Sequence, residues 1–331
     1  MAFMYRLPSR VYLYTIGEVV AIYRDIISSG EDTIEIDASR VEYIDPFGLC
    51  MLAAVVNKLG EADISIRIRG VDPDVFEYLR RMDFLRQCRM DAKPSRPGAR
   101  RDLSDRLVEV HRITDRREID RSAARLARAV IGRITDIRLD DTPDEMSGKS
   151  EVDQVEHPLR YVFNELIENA LTHGRGKGFN RASAWVAAQY YPSSGKMRLA
   201  VVDDGCGFLE SLREHPELPE EAHAAAIEIA LKAKVSRNRD VGLAGDSVNQ
   251  GVGLTVIREI ALRADGCLAL VSGDAWLADH PRNQRERRTV SEWQGVGAYV
   301  EVRRSRLQGI NLVSIMQGLP GYAPVKGLKF E

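Results

Sequence analysis

The chain lacks an excess of charge of either sign and lacks any long apolar run. Its 47 lysines and arginines nearly balance its 49 aspartates and glutamates, for a formal net charge of -2. Bulk charge therefore gives no reason to expect nucleic acid or a membrane surface as the partner. No apolar segment approaches the ~20 residues of a transmembrane helix, and the N-terminus lacks the long apolar core of a secretory leader. We therefore expect a soluble, cytoplasmic protein.

Cysteine is also scarce. The four cysteines are scattered along the chain without the short spacings typical of a metal site. We interpret them as isolated thiols of a reducing compartment. They are Cys50, Cys88, Cys206 and Cys267.

Residues 1–92 alternate between helical and extended patterns, which predicts a mostly parallel α/β domain. The segments with apolar residues at helical spacing are 19–27, 49–59 and 75–82, and those that alternate as strands are 33–37 and 64–68. Residues 93–103 contain Pro94, Pro97 and Gly98 among several arginines, a composition that indicates a linker.

Residues 104–306 have the length of a second α/β domain, and residues 307–331 form a tail without a strong period. The predicted strands are 107–113, 182–188, 197–202, 267–271 and 298–302. The predicted helices are 119–134, 157–173, 217–234 and 252–264.

The helix predicted at 157–173 carries two stripes. Its apolar stripe should face a sheet, and Glu165, Asn169 and His173 form a polar stripe beside it at spacings i, i+4 and i+8. An amide and a carboxylate at the rim of a buried face are unusual, because burying such groups unpaired costs roughly 2 kcal/mol or more. The helix alone is equally compatible with a solvated stripe that has no role.

Two glycine-containing segments add to this helix. The strand at 197–202 ends in Asp203, whose carboxylate could accept a hydrogen bond from an exocyclic amine such as that of adenine. Gly205 and Gly207 then allow a sharp turn against a flat ring. Gly251 and Gly253 precede an apolar helix, and the free N–H groups of such a helix start suit phosphates. Either segment alone is weak evidence, but the three together predict a nucleotide site.

By these three motifs, residues 104–306 resemble the GHKL (Bergerat) ATP-binding domain, an α/β sandwich shared by histidine kinases, anti-sigma-factor serine kinases, gyrase, Hsp90 and MutL. The resemblance implies that Asn169 coordinates Mg²⁺ and Asp203 binds the adenine amine of ATP. It implies a pocket and lid shaped by Gly205, Gly207, Gly251, Gly253 and Leu254. For His173 two interpretations remain open: it belongs to this site, or it packs at the helix end.

The spelling from Glu165 to Gly174 is closest to the serine-kinase branch, in which Glu165 would be the general base. Two departures stand out. The segment between Gly207 and Gly251 is longer than in the small serine kinases, and Ala298 stands where the family often has a threonine near the adenine.

The turn from Asp45 to Gly48 makes residues 1–92 resemble the STAS domain of anti-anti-sigma factors, a family common in bacterial signalling. The position that carries the phosphate-accepting serine in that family is Phe47 here, which has no hydroxyl. Pro46 suits a first helical turn. Phe47 is then either a packing anchor or, less favoured, an exposed contact for a partner.

The combined resemblance predicts an ATP- and Mg²⁺-binding regulatory protein of the anti-sigma serine/threonine kinase type that acts on a protein partner. The alternative is an ATP-dependent switch or binding module with slow or no phosphotransfer. A dimerising ATPase of the gyrase, Hsp90 or MutL kind is less favoured, because only about 25 residues follow residue 306. The expected partner is a STAS-domain or sigma-factor-like regulator, neither nucleic acid nor a membrane, and a homodimer is left open.

Overall fold

Two α/β domains follow each other along the chain. The computed structural model describes residues 3–88, 107–131, 142–143, 148, 150–174, 182–218, 222–232, 252–282 and 284–319. The predicted linker at 93–103 therefore lies outside the described residues. No helix in these ranges has the length and apolarity that a membrane crossing requires.

The first domain, called here the N-terminal domain, comprises residues 3–88 and is built on parallel strands, as its alternating pattern predicts. Its elements are β1 (Phe3–Arg6), β2 (Arg10–Val11), α1 (Ile16–Ser29), β3 (Thr33–Asp37), β4 (Tyr43–Ile44), α2 (Pro46–Glu61), β5 (Ser65–Arg69), α3 (Pro73–Arg81) and α4 (Phe84–Gln87). The main sheet has the order β1-β3-β5, and β2 pairs with β4 beside it. Both sets are parallel.

Helix α2 begins with a side-chain cap, and Pro46 occupies the first turn as the sequence predicts. The Asp45 side chain accepts a hydrogen bond from the backbone N–H of Gly48 at 2.9 Å, and no N–H is needed at the position of Pro46. The helix is buried along most of its length, including Phe47, which is 0% exposed. A helix buried on nearly all sides belongs to a core rather than to a free surface.

The second domain, called here the C-terminal domain, comprises the described residues from 107 to 319. Its elements are β6 (Leu107–Ile113), a 3₁₀ turn (Arg116–Glu118), α5 (Ile119–Ile131), α6 (Glu151–Glu168), a π-helical turn (Asn169–His173), β7 (Ala184–Tyr191), β8 (Lys196–Asp203), α7 (Gly207–Leu212), α8 (His223–Ala230), α9 (Gly253–Arg263), β9 (Cys267–His280), β10 (Gln284–Arg303), a second 3₁₀ turn (Arg304–Gly309) and α10 (Leu312–Gln317). The strands form one antiparallel sheet of order β6-β7-β8-β10-β9.

Both faces of this sheet are buried. Alternate residues of β8 and β10, such as Val201 and Ala298, join α5, α6 and α9 in one core. Their neighbours, such as Val202 and Tyr299, join the core of the N-terminal domain. Antiparallel sheets commonly leave one face to water, so the N-terminal domain here takes the place of solvent.

The turn that contains Phe47 is the centre of this docking. The Phe47 ring meets the Tyr299 ring edge-on, with ring centroids 6.0 Å apart. It also fills the space above Gly297, where an added Cβ would lie 2.9 Å from the Phe47 Cζ. Of the two interpretations of Phe47, the structure therefore supports the packing anchor rather than the exposed contact, and Phe47 fixes one domain on the other.

The end of β9 and the start of β10 extend beyond β8 and contact α1 and the segment just before it. Trp276 of β9 contacts Tyr14, and Trp293 of β10 contacts Tyr23 edge-on, with centroids 5.6 Å and 5.7 Å apart respectively. Trp276 and Trp293 are both almost completely buried. The domains are thus joined by an aromatic clamp as well as by the Phe47 anchor.

The strands predicted at 267–271 and 298–302 are longer in the structure, as β9 and β10. Two other predicted segments also differ. The helix predicted at 217–234 appears as the shorter α8, while 219–221 and 233–250 lie outside the described residues. The described part of the predicted tail carries a 3₁₀ turn and α10. Its Leu307, Ile315 and Met316 are buried in the core around α6 and α9, because that apolar cluster offers them cover.

Candidate functional site

A cavity lies where the end of α6, the end of β8 and the start of α9 meet. Its empty space, including the part open to solvent, is about 840 Å³. Among the residues predicted for the nucleotide site, six line this cavity: Asn169, His173, Asp203, Gly207, Gly253 and Leu254.

The last turn of the predicted helix is wider than an α-helical turn. Residues Asn169–His173 form a π-helical turn closed by a hydrogen bond from the Gly174 N–H to the Asn169 carbonyl, at 3.2 Å. Such turns are frequent at functional sites because they displace side chains from the regular helical positions. Asn169 and His173 are half-buried on this turn.

The turn after β8 is bonded to this helix end. The Cys206 N–H donates to the Gly174 carbonyl at 3.0 Å, and an added Cβ on Gly205 would lie 2.5 Å from the Gly174 Cα. Gly205 is thus required for close approach of the two backbones. The Asn169 and Asp203 sides of the cavity are held together by this contact.

Asp203 is the most constrained polar group of the cavity. It is 4% exposed, and its Oδ1 accepts hydrogen bonds from the backbone N–H groups of Gly205 (2.9 Å) and Val296 (3.2 Å). Within the described part of the chain, its Oδ2 has no hydrogen-bond partner. Burial raises the pKa of the Asp203 carboxyl to about 7. A carboxylate oxygen that has no donor from these residues can accept a hydrogen bond from a ligand.

Gly207 is the position of this turn that demands glycine. Its φ is +77°, and a Cβ there would run into the Gln294 carbonyl oxygen. Non-glycine residues rarely adopt such a φ. The turn can therefore pass beneath β10 and begin α7 only with glycine at this position.

Glu165 stands behind the start of α9. A Cβ on Gly253 would collide with Oε2 of Glu165, so glycine allows the helix start to approach the carboxylate. Burial, together with the charge of Glu168, raises the pKa of Glu165 to about 7. A carboxyl group with such a pKa can exchange a proton near neutrality, which is the property of a general acid or base.

Within the described residues, the N-cap residue of α9, Val252, makes no side-chain hydrogen bond to the N–H groups of the helix start. Unpaired N–H groups at a helix N-terminus favour an anion, because the helix dipole is positive there. Gly251, the other glycine predicted for this segment, lies outside the described residues. The described residues contain no group of three or more His, Cys, Asp and Glu side chains able to hold a metal.

Several lining residues were not predicted for the site. They are mostly apolar or small side chains on α6, β8, β10, α7 and α8. In the sequence most of them cannot be distinguished from ordinary core positions. They are Leu166, Ala170, Val201, Phe208, Ser211, Leu212, Ala230 and Val296. Two further lining residues carried a signal in the sequence: Gly174, which ends the Glu165–Gly174 motif, and Ala298, at the position where the GHKL family often has threonine.

Comparison with known families gives one match. The family model described as "Mlab, STAS domain" matches residues 6–86, roughly a quarter of the chain. The N-terminal domain is therefore STAS-like, which suggests a regulatory role in signalling or in the antagonism of anti-sigma factors. STAS domains commonly mediate contacts between proteins, which is consistent with a protein partner. No curated protein matches the chain.

Proposed function

We propose that this protein binds ATP with Mg²⁺ in the cavity between α6, β8 and α9, as a regulatory protein of the anti-sigma serine/threonine kinase type. The observation that supports this best is Asp203. Its carboxyl group is buried in the cavity wall, with two backbone N–H groups on Oδ1 and none on Oδ2. An exocyclic amine of adenine would supply the missing donor.

The remaining residues of the cavity fit the other parts of the ligand. The Asn169 amide oxygen would hold Mg²⁺, which in nucleotide sites takes only one or two protein oxygens and completes its shell with phosphates and water. The uncapped start of α9 at Gly253 would face the phosphates. Leu254 and Val201 would cover the apolar faces of the base. When bound, Mg²⁺ neutralises the negative charge that develops on the transferring phosphoryl group.

Glu165 would act as the base of phosphoryl transfer. It would take the proton of an attacking serine or threonine hydroxyl as the new O–P bond forms at the γ-phosphorus. The bond to the β–γ bridging oxygen would break, releasing ADP. A pKa of about 7 leaves Glu165 able to accept that proton near neutral pH.

Nucleotide binding is tested by titration calorimetry of the whole protein with MgATP. The wild type is expected to bind, and Asp203→Asn to lose at least tenfold in affinity, because the amide would place a donor or a weaker acceptor against the adenine amine. Asp265→Asn, on the half-exposed side chain that pairs with Arg303, is the matched control and should bind as the wild type does. No heat with the wild type, or unchanged affinity in Asp203→Asn, would contradict the proposal.

A second candidate function is an ATP-dependent switch without phosphotransfer. The observation that favours it is Phe47, which replaces the acceptor hydroxyl and is sealed against Tyr299 and Gly297. A STAS domain docked in this way cannot be the phosphate acceptor at that position. ATP binding would then alter the affinity of the chain for a separate partner.

Labelled ATP distinguishes the two candidates. The protein is incubated with γ-labelled ATP and with the products of neighbouring genes as candidate partners. Transfer that is lost in Glu165→Gln, with MgATP affinity retained, supports the kinase. Binding of MgATP without transfer or phosphate release supports the switch.

A further inference from the structure

Two consecutive carboxylates at the end of β8 serve different sides of the sheet. Asp203 lines the cavity, whereas the Asp204 Oδ2 accepts a hydrogen bond from the Asn57 side-chain amide of α2, at 3.3 Å. Asp204 is only 4% exposed. One peptide unit thus links the adenine side of the proposed site to the N-terminal domain.

Asp204 is held by a ring of polar contacts that crosses the domain boundary. Its Oδ1 accepts the Ser183 N–H at 2.7 Å, and the Ser183 Oγ accepts two guanidinium N–H groups of Arg112, at 2.8 Å and 3.0 Å. Arg112 pairs with Glu61 of α2 at 3.5 Å, and Glu61 accepts the Asn57 amide at 2.9 Å. Asn57 and Glu61 of the N-terminal domain therefore close a ring whose other members belong to β6, β8 and the start of β7.

A second link reaches the same peptide unit from the other side. The Trp293 indole N–H donates to the Asp203 carbonyl at 3.0 Å, and the Trp293 ring packs edge-on against Tyr23 of α1. Burial raises the pKa of Asp203, and the positive charge of Lys58 in α2 partly offsets this rise. The backbone and the field at Asp203 both depend on groups of the N-terminal domain.

We propose that Asn57 is a positioning residue for the nucleotide site: through Asp204 it fixes the turn that carries Asp203, so that nucleotide affinity depends on docking of the N-terminal domain. This inference rests on the proposed function, because it concerns the same cavity. It adds that the STAS-like domain is a working part of the site, although no residue of that domain lines the cavity.

Linkage makes the effect reciprocal. If docking through Asn57 favours the nucleotide, bound nucleotide must tighten docking by the same factor. A hydrogen bond to a charged group and a typical coupling between sites both correspond to a change of about tenfold. The expected coupling is therefore measurable from either side.

The test uses the whole protein and MgADP as the probe, with affinities from titration calorimetry. Asn57→Ala, which removes the donor, and Asn57→Asp, which sets a carboxylate against Asp204, are each expected to weaken binding about tenfold. In Asp204→Ala the added Asn57→Ala change should have no further effect. Hydrogen exchange at the C-terminal half of α2 should slow when MgADP saturates the wild type, and should not slow in Asn57→Ala.

The matched control is Glu292→Gln, which breaks an exposed ion pair with Arg24 across the same domain interface. It should change MgADP affinity by less than about twofold, because exposed pairs contribute little. If the wild type binds MgADP and both Asn57 variants bind it with the affinity of the wild type, the inference is overturned while the proposed function stands. If Glu292→Gln weakens binding as much as Asn57→Ala, the effect belongs to docking in general and a specific role for Asn57 is overturned. If the wild type binds no MgADP, both proposals fail.

Discussion

Replacing Phe47 with alanine tests whether the N-terminal domain is fixed on the sheet. The ring is 0% exposed, meets the Tyr299 ring edge-on and fills the space above Gly297. Truncating a buried phenylalanine costs about 3–5 kcal/mol, and a whole domain is typically stable by about 5–15 kcal/mol. We expect Phe47→Ala to lower the free energy of unfolding by an amount in that first range.

Tryptophan fluorescence during urea unfolding is a suitable assay. The three tryptophans, Trp185, Trp276 and Trp293, all lie in the C-terminal domain and are all buried in the core shared with the N-terminal domain. A change made in α2 is therefore detected by probes in the other domain. Ile27→Ala, on an α1 side chain that is 44% exposed, is the control and should shift stability by less than about 0.5 kcal/mol. A similarly small shift for Phe47→Ala would refute the anchor.

A double-mutant cycle tests the contact itself. Gly297→Ala would place a methyl group 2.9 Å from the Phe47 Cζ, and such overpacking costs about 1–3 kcal/mol. In the Phe47→Ala background the methyl group has room, so the two changes should deviate from additivity by at least about 0.5 kcal/mol. Strict additivity would mean that the two residues do not touch.

Three further predictions concern single groups. Burial raises the pKa of Asp45 from 3.8 to about 6, so the folded state favours the protonated form and stability falls as pH rises from about 4 to 6. Asp45→Asn keeps a side-chain oxygen that accepts the Gly48 N–H but cannot ionise. It should raise the free energy of unfolding by up to roughly 3 kcal/mol at pH 8 and leave it unchanged at pH 4. Urea unfolding at the two pH values measures this difference. If Glu165 is the base, phosphotransfer should rise with pH around a midpoint near 7 and be almost abolished at every pH in Glu165→Gln; an unchanged profile in that variant would exclude this role. Gly207→Ala should lower stability by at least about 1 kcal/mol, because alanine is strained at its φ of +77°, whereas thermal unfolding of Gly309→Ala, where an added Cβ meets nothing within 4 Å, should match the wild type.

Local patterns predicted most of the secondary structure. Helix α6 carries an apolar stripe because one of its faces is buried, and β8 is a continuous apolar run because both of its faces are buried. The helix predicted at 217–234 was too long, because residues 217, 218 and 222 are not helical in the structure. The structure accordingly begins α8 only at His223.

Local sequence patterns could not predict the contacts between segments that are distant along the chain. The arginine-rich stretch of β10 does not alternate like a buried strand, and its extended course depends on pairing with β9. The role of Phe47 depends on Gly297 and Tyr299, some 250 residues further along the chain. For the cavity, motifs identified the polar and glycine positions, but the apolar lining, including Phe208 and Val296, could not be told from ordinary core.

The sheet of the C-terminal domain, covered on both faces, limits how this chain can be divided. Severed near residue 106, the downstream fragment would present Trp185, Trp276 and Tyr299 to water, since these side chains belong to the shared core. Contiguous apolar surface of that kind promotes association or precipitation. The N-terminal domain thus shields this face of the sheet from water, and a soluble fragment that begins downstream of it would need substitutions that cover the same face.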